Sequence, residues 1–271
     1  MSMERCKHGM LIVTCALCRD TREGRRKALA ELDKGAATAG HASVSTLGGQ
    51  AFPTTGVLAN NLDLPVGTLR AILAGELGRV YCYVETSIEL HGYDFVQCGS
   101  GPNFQGGLVT LCTCKHLMRS GQSERAWPGS WVAGFTSRTL IPNDGRNFIS
   151  YLMKVGRAYH SHRELWDNIP EDVREAKAAD HHRLGDLYRP AGSNGDPFDP
   201  ASYVEPRADH SHCELGEWQE DINYPRRAAL LVGDPELSFL WSRPAIALKP
   251  PQLHRGHKIH GVQDLLESLL G

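Results

Sequence analysis

RVYCYVETSIEL, residues 79–90, is where the chain changes texture. β-Branched and aromatic residues crowd together there, as they do in a strand that fits a pleated, half-buried surface. GLVTLCTC (107–114), SWVAGFTSR (130–138), NFISYLMKVGRAY (147–159) and AALLVGDPELSFLW (228–241) read the same way. The turns between them carry Gly, Pro, Asn and Asp. Helical spacing is confined to the flanks and one insertion. NLDLPVGTLRAILAGELG (61–78) places Pro65 at a helix start and closes on Gly75 and Gly78. RELWDNIPEDVREAKAAD (163–180) is one helix or two, broken at Pro170. The tail helix VQDLLESLLG aligns Val262, Leu265, Leu266 and Leu269 on one side. Strands dominating one continuous region, with helices at its edges, predict an α+β domain built on a curled mixed sheet or a small barrel.

The chain has 271 residues, a formal net charge of -2 and 41% hydrophobic residues. That length buries a sizeable core, and the near-neutral charge argues against a whole-molecule nucleic-acid binder. No apolar run approaches the roughly 20 residues a membrane helix requires. The start, Met-Ser-Met-Glu-Arg, has no apolar stretch behind a basic opening. A cytoplasmic protein is therefore expected, with cysteines used as metal ligands or free thiols. The expected organisation is a small module over 1–34, a Gly/Ala/Ser/Thr-rich linker over 35–56, and an α+β domain over 57–271.

Three of the eight cysteines stand in CKHGMLIVTCALC, residues 6–18. Cys6, His8, Cys15 and Cys18 have the spacing C-x-H-x6-C-x2-C, which suits tetrahedral zinc. Four protein ligands close the shell and leave no position for water, so the expected zinc is structural. Arg19, Arg22, Arg25, Arg26 and Lys27 follow on a short helix. They either solvate it or touch a phosphate backbone.

Three further stretches are dense in reactive groups. In GPNFQGGLVTLCTCKHLMR (101–119) a glycine-rich turn around Asn103, Phe104, Gly106 and Gly107 leads into a strand ending at Cys114 and Lys115. Adjacent residues of a straight strand point to opposite faces, so Cys114 and Lys115 share a pocket only if the chain bends there. DHHRLGDLYRP carries Asp186, Tyr188 and Arg189, and ADHSHCELGEW carries Asp209, His210 and His212. Read as a strand, HSH points both histidines to one face. That arrangement makes either a general base for Cys114 or for a water, or, with Asp209, a second metal site. The plainer alternative is that these histidines face solvent or stitch the long loop over 189–207.

The succession YCYVE, GPNFQGGLVTLCTCKHLMR, WPGSWVAGFTSR, NFISYLMKVGRAY, ELWD and HRLGDLYRP resembles the second of the nucleotide-modification-associated domain families of prokaryotes and phages. The resemblance spans about residues 79–248. The family's Asn-Pro-Phe-Gly-Gly turn stands here as Asn103-Phe104-Gln105-Gly106-Gly107 with Pro102 before it, its proline after Cys-Lys is His116, and the acid before its tryptophan is Ser130. The resemblance implies a role with a modified nucleobase or nucleotide in a phage-defence or DNA-modification setting. The expected role is recognition or processing of that base in a pocket of the α+β domain; the alternatives are a glycosylase, hydrolase or group transferase using Cys114 and Lys115 with Asp186 and His210 or His212, and a non-catalytic structural subunit. It is looser to the PUA-like barrels, including EVE and YTH domains, which hold a flipped or modified base. A pocket of that kind needs aromatic stacking and a polar base-edge reader. Trp127, Trp131, Phe135 and Tyr151 are the stacking candidates. Asn103, Lys115, Thr136 and Ser137 are the polar ones. Core packing is the competing role for each aromatic.

Overall fold

The computed structural model describes residues 48–213, 217–254 and 256–271. The chain enters through two short helices, α1 (Val57–Asn60) and α2 (Val66–Ile72), with Pro65 as the N-cap of the second. β1 (Arg79–Glu85) follows, then a hairpin of β2 (Ile88–His91) and β3 (Asp94–Gln97). The expected strand over 107–114 shrinks to β4 (Thr110–Leu111), and Lys115 adopts left-handed backbone (φ 61) and starts α3 (His116–Arg119). β5 (Trp131–Thr136) and β6 (Ile149–Tyr159) precede α4 (His162–Asn168) and α5 (Glu171–Lys177), which divide at Pro170. α6 (Glu217–Asn223) and β7 (Leu230–Leu240) come next. β8 (Ala247–Leu248), β9 (His257–Gly261), α7 (Val262–Glu267) and β10 (Leu269–Leu270) complete the described fold.

Six strands form one mixed sheet in the order β4-β7-β6-β5-β1-β9. β1 and β5 run parallel, and the other neighbours are antiparallel. The sheet is open, with β4 at one edge and β9 at the other. The barrel alternative is thus replaced by an α+β fold on an open sheet. LHRGHKIHG (253–261) reads from sequence as a basic surface segment, and its HKIHG part pairs with β1 as that edge strand.

Both faces of the central strands are buried, which is why they read as nearly continuous apolar runs rather than alternating ones. Val80, Cys82, Trp131, Ala133 and Phe135 face one way, against Leu69 of α2, Leu73 at its C-cap, and Leu265 and Leu266 of α7. Tyr81, Tyr83, Val132, Tyr151 and Met153 face the other way, with Trp127 and Leu111. Each large side chain so buried stabilises the fold by roughly 1.5–3 kcal/mol.

The described end of the expected linker is fixed to the domain. Gln50 is buried and donates to the carbonyls of Gly99 (3.0 Å) and Pro102 (2.8 Å), while its oxygen accepts from Phe104 N at 3.1 Å. Phe52 stacks on Phe104, with centroids 5.1 Å apart. Among the described residues no helix is long and apolar enough to cross a membrane.

Candidate active site

The last residues of β1 and the turn before α3 wall an open cleft of about 550 Å³. Tyr83, Glu85, Gly101, Cys114, Lys115, His116, Arg183, His210, His212 and Asp221 all reach it. The bend that a Cys114–Lys115 pair requires is supplied by the left-handed Lys115. A non-glycine residue in that conformation is uncommon, and such backbone concentrates at functional sites. Lys115 Nζ then folds back onto β1, donating to Val84 O at 2.9 Å and lying 4.7 Å from the Tyr83 ring centre.

His212 Nε2 stands 4.0 Å from Cys114 Sγ and 3.1 Å from Ser100 Oγ. Its other nitrogen, Nδ1, donates to Asp221 Oδ2 at 2.7 Å. The aspartate is buried in α6 and also accepts from the Tyr188 hydroxyl at 2.6 Å. On its second oxygen it meets His116 Nε2 at 2.9 Å, and that imidazole is stacked on Tyr224. A nucleophile, a base and a group that orients the base are thus in sequence, Cys114–His212–Asp221. The sulfur–nitrogen separation is at the long end of a hydrogen bond, as is usual for such pairs before substrate closes the site.

The electrostatics fit this order. Burial pushes the Cys114 thiol up, but the hydrogen bond and charge of His212 outweigh it and hold the thiol below its ordinary value. Burial pushes His212 down, but the Asp221 carboxylate raises it well above the usual imidazole range. Burial likewise works against ionisation of Asp221, but His212 and His116 hold it below the usual carboxylate range. Both shifts act in the direction of a thiolate–imidazolium pair, the nucleophilic form of cysteine. Three other described cysteines, Cys82, Cys112 and Cys213, differ. Burial pushes Cys82 to about 12 and Cys112 well above the usual thiol range, and Cys213 is also raised.

HSH, read above as a strand, is a turn. His210 Nε2 donates to Gly185 O at 2.7 Å, and its Nδ1 accepts from His212 N at 3.1 Å. It braces the backbone of His212 and has both ring nitrogens engaged. Asp209 is ion-paired with Arg207. Among the described residues no group of three or more His, Cys, Asp or Glu side chains is placed to hold a metal ion. Cys6, His8, Cys15 and Cys18 lie outside the described residues.

Other residues singled out in the sequence sit elsewhere. Asn103 and Asp186 belong to a sealed polar knot around Lys177. The Lys177 ammonium donates to Leu108 O (2.7 Å), Asn103 Oδ1 (2.8 Å), Thr110 Oγ1 (2.9 Å) and Asn103 O (3.2 Å). Thr110 donates to Asp186 Oδ2 at 2.8 Å, and Asn103 donates to Leu184 O at 2.8 Å. Neither Asn103 nor Asp186 lines the cleft. Gly106 and Gly107 are left-handed (φ 69 and 72), and a side chain at Gly106 would press 3.0 Å from Val173 Cα in α5. Glycine at 106 therefore serves the packing of turn on helix, and glycine at 107 the left-handed turn itself. Phe104, Trp127, Trp131, Phe135 and Tyr151 are buried in the core. Thr136 Oγ1 accepts from Phe148 N (3.0 Å), and Ser137 Oγ is 2.9 Å from Thr139 Oγ1. Arg189 is held by Glu175 and Asp180 and covers Trp166. Tyr188 does not line the cleft and touches the site from behind, through Asp221 and the edge of the His210 ring.

Sequence reasoning missed Asp221, His116 and Glu85. Asp221 stands nine residues past His212 in a short acidic helix whose pattern marks nothing. His116 and Glu85 are visible only as neighbours of Cys114 and of a strand end. No family model matches the chain, and no curated protein or solved structure does either.

Proposed function

We propose that this protein is a cysteine-dependent enzyme, a hydrolase or group transferase that forms a covalent intermediate on Cys114. The Cys114–His212–Asp221 alignment in the cleft supports this reading above all else. Cys114 attacks an electrophilic carbon, His212 makes the thiolate and later activates water or the acceptor, and Asp221 fixes the imidazole tautomer. The substrate, on the resemblance of residues 79–248, is a modified nucleobase or nucleotide, free or in DNA. A pure reader built on aromatic stacking is disfavoured. The four aromatic candidates are core residues, and Tyr83 is the one Phe, Tyr or Trp among the described residues lining the cleft.

Two measurements test this. Iodoacetamide at pH 6, followed by peptide mass mapping, should alkylate Cys114 ahead of the other described cysteines; equal or absent labelling there refutes the nucleophile. Incubation with modified and unmodified oligonucleotides and nucleosides, read by mass spectrometry, should show a change of base mass or an adduct on Cys114. Adducts from neither class would remove the nucleotide substrate.

A further inference from the structure

Glu85 is a buried acid that the nucleophile–base pair does not use. It ends β1, opposite Thr136 of β5, and is 3% exposed at the floor of the cleft. Ser150 Oγ lies 2.7 Å from Glu85 Oε2 and 2.9 Å from Gly134 O. A hydroxyl has one proton to give, and the carbonyl has none. If Ser150 donates to Gly134, the short contact to Glu85 is completed by a proton on Glu85 itself. The surroundings favour that proton. Burial pushes the Glu85 carboxyl up to about 8, the Cys114 charge adds to the shift, and Ser150, Lys115 and a hydrogen bond from Gln97 oppose it. Tyr83 and Tyr151, whose hydroxyls meet at 2.7 Å, are the other titratable groups beside it, and burial keeps both phenols neutral. Lys115, tied to Val84 O, holds the Cys114 turn against this end of β1.

We infer that Glu85 is the proton donor to the leaving atom, and that the substrate therefore carries a poor leaving group, an oxygen or nitrogen that must be protonated to depart. This rests on Cys114 being the nucleophile. In the step, the Cys114 thiolate forms a C–S bond and the carbon–oxygen or carbon–nitrogen bond breaks. Its electron pair takes the Glu85 proton, presented by rotation of the carboxyl group. The carboxylate left behind accepts from Ser150 Oγ at Oε2, so one contact serves both protonation states. Raised carboxyl pKa values are how a single site holds an acid and an ionised group at neutral pH.

Two alkylating agents that differ only in this requirement test it. Iodoacetamide releases iodide, which needs no proton, whereas ring opening of the epoxide glycidol leaves an alkoxide that does. The quantity read is the ratio of the glycidol rate to the iodoacetamide rate at Cys114, by peptide mass mapping on the full chain. At pH 6, Glu85→Gln should lower the ratio by about 10²-fold, the lower end of general-acid contributions. In the wild type the ratio should fall as pH rises through about 8, and in Glu85→Gln it should be flat. A ratio unchanged by the substitution, or a wild-type ratio that does not fall above pH 8, overturns the inference and leaves His212 as the donor. Failure of iodoacetamide to label Cys114 overturns the nucleophile, and the inference with it. The iodoacetamide rate of the variant reports in the same sample whether the cleft is intact.

Discussion

The Lys177 knot and the Cys114 cleft are built from the same kinds of groups, and the stretch 184–189 feeds both. Asp186 enters the knot and Tyr188 reaches Asp221. In the knot, the ammonium has four acceptors and no route to solvent. In the cleft, the thiol and the imidazole each keep a face toward open space. A buried charge whose hydrogen bonds are complete fixes a backbone geometry; a charge with a face left open is available for chemistry. Sequence density in Asp, Lys and His does not distinguish the two, because the difference lies in what surrounds each group.

The sharpest way to break this contrast is to remove one member of each. Cys114→Ala should abolish covalent labelling in the cleft and any turnover found, while shifting the urea midpoint little. Lys177→Met should do the reverse. It leaves the Asp186 carboxylate and the Asn103 turn without their cation, costing about 3–5 kcal/mol of stability by urea titration, with Cys114 still reactive under native conditions. If Lys177→Met silenced Cys114 without destabilising the fold, the knot would be part of the site.

Smaller effects sharpen the cleft itself. His212→Asn removes the imidazolium that holds the thiol down, so the iodoacetamide rate at pH 7 should fall at least about tenfold, one pKa unit of thiolate. Asp221→Asn should lower it in the same direction. An unchanged rate in either variant would separate Cys114 from the histidine.

Acid stability draws on buried histidines. His162, beneath Tyr188, is pushed by burial from 6.5 to about 3. The unfolded chain then binds its proton at a pH where the native state does not, so this residue lowers stability as pH falls from about 6.5 towards 3. His162→Gln lacks that dependence. Its stability deficit against wild type should therefore shrink by about 2–3 kcal/mol between pH 7 and pH 4.5. A deficit independent of pH would show that His162 titrates normally.

The smallest expected effect on this domain comes from the N-terminal cysteines. We propose one structural zinc on Cys6, His8, Cys15 and Cys18, measured as one metal per chain after purification without chelator. Cys15→Ser should lose the metal and leave the circular dichroism and Cys114 reactivity of the rest unchanged. Loss of all folding would place residues 1–34 within the domain.

The strand and helix content was legible from residue 79 onward, because a buried strand demands β-branched and aromatic side chains and Pro170 divides two helices whatever their surroundings. Cys114, Lys115, His210 and His212 stood out in the sequence because reactive side chains are dense there, although His210 proves to brace the backbone of His212. Closure of the sheet was not legible, since an edge strand such as HKIHG carries no mark of which neighbour it takes. Nor was the orienting acid. Asp186 is the acid the sequence offered alongside Cys114 and the histidines, yet the chain turns at Lys115 and presents Cys114 to His212, and α6 brings Asp221 behind that ring. Local propensity set the elements; a left-handed residue, a histidine 98 residues beyond Cys114 and the helix behind it that carries Asp221 set the site. Which carboxylate serves a histidine depends on distances of a few ångströms, and only the packed chain fixes those.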